Sequence, residues 1–150
     1  MAEFLERLVL ADQQGKLNDF LTYQMLTPHH LAIHAPENED VPLKEKLQLF
    51  TDGLKTLAHK VESEKNFTNL EEVLAFSWAV SKFEPIFKGL GFEVSQDTSH
   101  PFWQRLSNAY QTSLIVKPYL HHRIGIDPSL AVMSRRALIK EYGTHPEAEN

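Results

Sequence analysis

Residues His30 to Val94 carry the pattern that most restricts what this chain can fold into. Leu31-Ala-Ile-His-Ala35 is a short, nearly continuous apolar run closed by Pro36. It reads as a fully buried strand, since a half-exposed strand would alternate. From Pro42, Leu43, Leu47, Phe50, Leu54, Leu57, Ala58 and Val61 fall at spacings of 4, 3, 4, 3, 1 and 3. That stripe predicts a long amphipathic helix over 42–64, with Lys44, Glu45, Lys46, Lys55, Lys60 and Glu62 on its wet side. Val73-Leu-Ala-Phe-Ser-Trp-Ala-Val80 is a second apolar run and the second expected strand. Strand, crossover helix, strand is a βαβ unit, which places its two strands parallel and buried.

Around this centre the remaining elements follow from local signals. Phe4, Leu5, Leu8, Leu17, Phe20, Leu21 and Met25 recur at roughly helical spacing, so residues 1–28 are expected to be a helical N-terminal segment, interrupted at Gly15 and ended by Pro28. Ser81 with Glu84 three residues on matches a capping box opening a helix over 82–90. Gly91 can take the left-handed conformation that ends a helix, and Phe92–Ser95 resumes as a strand. Pro101 opens a further helix to about Gln111, and Thr112–Val116 would either extend it or form a strand. Leu130–Met133 reads as a strand, Ser134 as the cap of a last helix to Tyr142, and 144–150 as a frayed tail. The expected fold is a single α/β domain over 1–150, a small mainly parallel sheet with flanking helices.

Composition narrows the functional classes. The chain of 150 residues is 42% hydrophobic and 23% charged, as in an ordinary globular protein able to bury its own core. It has no cysteine, so disulfide and thiolate chemistry are excluded. Twenty acidic against 15 basic residues give a net charge of −5, against a nucleic-acid partner. Arg135, Arg136 and Lys140 form the only basic cluster, read as a solvated helix face. The N-terminus lacks a signal-peptide pattern and no apolar run would span a bilayer, so a cytoplasmic protein with no membrane partner is expected.

The candidate chemistry centres on His34 and Ser77. His34 lies inside an apolar run, where a polar ring needs a partner. Ser77 holds the equivalent stretch of the second strand, so neighbouring strands would let the two face one cleft as base and hydroxyl. No Gly-x-Ser-x-Gly elbow surrounds Ser77, and a buried hydroxyl bonded to backbone is the plainer alternative. Trp78 would wall a ligand site beside them. The eight histidines, including His30, His121 and His122, match no metal-ligand spacing, and no metal site is assigned.

The order of strand, long helix, strand, short helix and Phe87-Lys-Gly-Leu-Gly-Phe-Glu-Val94 resembles the C-terminal half of the GNAT superfamily of acyltransferases. In that family two parallel strands splay apart, acyl-CoA threads into the gap, and a Leu-Gly-Phe turn commonly follows the short helix. The resemblance covers roughly residues 30–96, reaching 134 if Leu130–Met133 is the closing antiparallel strand. It implies acetyl-CoA or CoA as cofactor, contacted by Trp78 and Phe87, and N-acyl transfer to a small molecule. Two features depart from the family. Its glycine-rich pyrophosphate turn is here Pro36-Glu-Asn-Glu-Asp-Val-Pro42, without glycine and with three carboxylates. Its thiolate-protonating tyrosine is here Phe87, which has no proton to give. The alternative is therefore a non-catalytic relative that binds a small molecule or a protein partner, a second copy in a homodimer included.

Overall fold

The computed structural model describes residues 14–35, 41–116 and 128–144, the side chains of 110–116 excepted. Among them are six strands, β1 (Gln14–Lys16), β2 (Thr22–Thr27), β3 (His30–His34), β4 (Glu72–Ser77), β5 (Glu93–Ser95) and β6 (Ser129–Ser134). The helices are α1 (Leu43–Ser63), α2 (Trp78–Lys82), α3 (Glu84–Gly89), α4 (Trp103–Val116) and α5 (Arg135–Tyr142). The hydrogen-bonded strand order is β1-β2-β3-β4-β6-β5, and β3–β4 is the one parallel pair.

This corrects the mainly parallel sheet. The expected parallel pair is present, with α1 as its crossover, but the sheet around it is antiparallel. An apolar run such as 31–33 is buried whichever way its neighbour runs, so burial alone did not fix direction. The antiparallel strands came largely from 14–27, expected to be helical. Asn18 breaks that pattern: its Oδ1 accepts from the Phe20 and Leu21 N–H groups at 2.9 and 2.7 Å, and its amide donates to the Leu49 carbonyl at 2.8 Å. A side chain that satisfies its own backbone this way favours a turn over a helix. Beyond it, β-prone Thr22, Tyr23 and Thr27 form β2, antiparallel to both β1 and β3. Residues 1–13, the acidic turn at 36–40, His121, His122 and the tail from His145 lie outside the described residues.

The chain divides into two compact units, 1–73 with 133–150 and 74–132, so that β4 and β6 each run from one into the other. The core of the first unit gathers Leu21, Met25, Leu31, Leu54, Leu57, Phe67, Leu70 and Leu138, each at most 1% exposed. Gly53 allows the close approach of α1 to Leu21: a Cβ there would lie 2.7 Å from the leucine Cδ2 and 3.0 Å from its Cβ. Arg135 then ties this unit's connections together. Its guanidinium donates to the carbonyls of Phe67 (2.9 Å), Thr68 (2.7 Å), Leu70 (3.4 Å) and Val61 (3.4 Å), and its backbone N–H to the Glu71 carbonyl (2.8 Å). It is a clamp on the end of α1 and the loop that follows, where sequence alone suggested a solvated charge.

The second unit is organised by caps and aromatic pairs. Strand β4 stops at Ser77, three residues earlier than its apolar run, because the Ser77 Oγ accepts from the Ala79 N–H at 3.1 Å and opens α2. The Ser81–Glu84 capping box does not form; Ser81 lies in α2, with its hydroxyl 2.7 Å from that of buried Ser129. The end of α3 is a Schellman motif. Gly91 has φ 108°, its N–H donates to the Lys88 carbonyl, and the Phe92 N–H donates to the Phe87 carbonyl, each at 3.1 Å. Strand β5 then pairs antiparallel with β6, Val94 opposite Ala131. Thr112–Val116 belongs to α4; back in the first unit, Ser134 caps α5 through the Ala137 N–H at 3.1 Å.

Candidate functional site

The four residues singled out in the sequence hold structural positions. His34 is the last residue of β3 and belongs to the first unit, Ser77 to the second. By surface area the His34 ring is exposed, yet the protein around it desolvates the ring and holds its pKa below the ordinary histidine value. The Ser77 hydroxyl accepts from the Ala79 N–H as the cap of α2. Trp78 is 6% exposed, its ring centroid lies 6.5 Å from that of Phe83, and the Lys82 ammonium sits 5.5 Å from both. Phe87 meets Phe92 edge-on at 5.8 Å, which is the apolar contact that accompanies a Schellman turn.

A different constellation forms in the first unit, at the β2–β3 turn. The Thr27 hydroxyl lies 2.9 Å from His30 Nδ1, and the opposite nitrogen, His30 Nε2, lies 3.4 Å from Glu72 Oε1. Hydroxyl, imidazole and carboxylate thus stand in line. The polarity that satisfies all three has Nδ1 accepting the hydroxyl proton and Nε2–H facing the carboxylate. Thr27 and His30 are half-buried, while Pro28 and His29 between them are exposed.

A β-bulge assembles this line. Met25 faces Leu31, and regular pairing would next set Leu26 against His30, but the register shifts and Thr27 takes that place. The bulge leaves Leu26 buried at 4% exposure and brings the hydroxyl beside the imidazole. Backbone bonds fix the surroundings. The His29 N–H donates to the Thr27 oxygen at 3.0 Å, and the His29 carbonyl accepts from Glu71 and Glu72 at 2.8 and 3.1 Å. His29 Nδ1 lies 2.9 Å from the Asn69 carbonyl. The start of β4, and Glu72 with it, is thereby pinned to the turn.

The sequence set His30 among histidines weighed for a metal site and gave no role to Thr27 or Glu72. A Thr-Pro-His-His turn behind β-prone residues was the available signal; Glu72, 42 positions on from His30, had none. No group of three or more His, Asp or Glu that could hold a metal occurs among the described residues. None of their helices is long and apolar enough to cross a membrane. The chain matches no protein-family model, no curated protein and no solved structure.

Proposed function

We propose that the chain is an acyltransferase-like protein of the cytoplasm, transferring an acyl group from acyl-CoA to the amine of a small molecule. The supporting observation is the single parallel pair β3–β4 joined by α1, with antiparallel strands to either side and a Leu-Gly-Phe Schellman turn after α3. This is the strand–helix order on which the resemblance to acyltransferases rests, and fold analogy is its warrant. In such a reaction the amine nitrogen attacks the thioester carbonyl, the C–S bond breaks and CoA leaves as thiolate. Phe87 carries no proton for that thiolate, so the proton comes from solvent or from the amine.

A second reading is favoured by the uses to which Ser77 and Phe87 are put: Ser77 caps a helix, and Phe87 makes a turn contact and carries no acidic proton. Under it the chain is a non-catalytic relative that binds a small ligand or a protein partner, a second copy included. Thermal unfolding with acetyl-CoA and CoA, paired with a thiol assay across a panel of amines, separates the two. With no cysteine in the chain, every thiol detected is released CoA. Saturating acetyl-CoA raises Tm by several degrees if the chain binds acyl-CoA, with or without transfer, because it binds only the native state. Amine-dependent thiol release supports transfer, and a Tm rise without it supports binding alone. No shift at millimolar acetyl-CoA and no thiol would overturn the acyl-CoA reading.

A further inference from the structure

The geometry points to Thr27 as an acyl-accepting nucleophile, activated by His30 and positioned through Glu72, that attacks activated esters. This rests on the first unit alone and stands or falls independently of the acyl-CoA reading. A threonine hydroxyl is a weak nucleophile until a base lies within hydrogen-bond reach, and His30 Nδ1 at 2.9 Å meets that condition. The base needs a third group to orient it, and Glu72 faces the other ring nitrogen. The bulge that sets Thr27 against His30 is the kind of local irregularity that re-aims a side chain. Thr27 itself is half-exposed, and Pro28 and His29 beside it are exposed.

In the step itself, Thr27 Oγ1 bonds to the ester carbonyl carbon while its proton passes to His30 Nδ1. The bond to the leaving oxygen breaks, and the leaving group departs as alkoxide or phenolate, taking the proton from His30 or from solvent. Water, deprotonated by the same imidazole, then hydrolyses the threonine ester and restores the free hydroxyl. His30 is the base of both halves, and Glu72 acts only through His30.

The test uses the full chain with p-nitrophenyl acetate, following p-nitrophenolate release and mapping the acetyl group by mass spectrometry after acid quench and digestion. The expected adduct is on Thr27. Thr27→Val, which keeps the shape and removes the hydroxyl, lowers release above the buffer rate by about 100-fold, the scale of positioned general-base catalysis. Thr27→Ser keeps release at or above that of the parent chain. Glu72→Gln lowers kcat with KM unchanged and with the melting curve retained, as a merely structural role would not. Release unaltered in Thr27→Val, or acetyl found on lysines or on His30 in place of Thr27, overturns the inference. If Thr27→Val fails to fold, the adduct map of the parent chain and the Thr27→Ser rate decide.

Discussion

The two units differ in what their polar side chains hold: carbonyls and charges far along the chain in the first, hydroxyl contacts and caps in the second. In the second unit Ser77 caps the helix two residues ahead, Ser81 reaches Ser129 hydroxyl to hydroxyl, and much of the tertiary work falls to apolar pairs such as Phe76 with Trp103 at 5.0 Å. In the first unit polar side chains act across the sequence. Arg135 reaches carbonyls as many as 74 positions away, Asn18 reaches Leu49, and His30 reaches Glu72. Thr27 and Ser77 make the contrast sharp. Both end a strand and both accept a backbone N–H two residues on, but only the Thr27 hydroxyl also meets an imidazole. A hydroxyl in an apolar run signals a cap as readily as a nucleophile; the partner for its proton tells them apart.

If distant cross-links hold the first unit, its largest single loss comes from Arg135→Ala. That change strips four part-buried or exposed carbonyls of a charged donor, and we expect a loss of about 2 kcal/mol in urea unfolding, the scale of hydrogen bonds to a charged group. Arg135→Lys recovers little of it, because an ammonium cannot span the fork of a guanidinium. A cost under about 0.5 kcal/mol for Arg135→Ala, the size of an ordinary surface substitution, would erase the distinction between the units. The smaller effect belongs to the local cap. Ser77→Ala is expected to cost about 1 kcal/mol, as loss of an N-cap does. The same variant leaves p-nitrophenolate release unchanged; a fall in release would move the chemistry back to the second unit.

What was legible in the sequence was what short-range signals encode. The apolar stripe of α1, the Gly91 stop after α3 and the Ser134 cap of α5 each depend on residues within one or two turns. The parallel pair followed from α1, since a crossover of that length forces direction. The antiparallel strands did not, because Leu17, Phe20, Leu21 and Met25 satisfy a helical spacing while Asn18 and the β-prone Thr22 and Tyr23 decide against it. The Thr27–His30–Glu72 line was less legible still. It needs a bulge, which is a matter of register between two strands, and a carboxylate delivered by β4 after the whole of α1. No local pattern encodes either.

The chemistry of the turn depends on the direction of the hydrogen bond between Thr27 and His30. A long-range ¹H–¹⁵N spectrum of the histidine rings reads it at neutral pH. Nδ1 of His30 should be unprotonated and accepting, with the proton on Nε2, and the Nδ1 resonance should shift in Thr27→Val. An Nδ1–H tautomer, with the threonine oxygen only accepting, would contradict the account: the imidazole could not take the hydroxyl proton, and the turn would be structure alone.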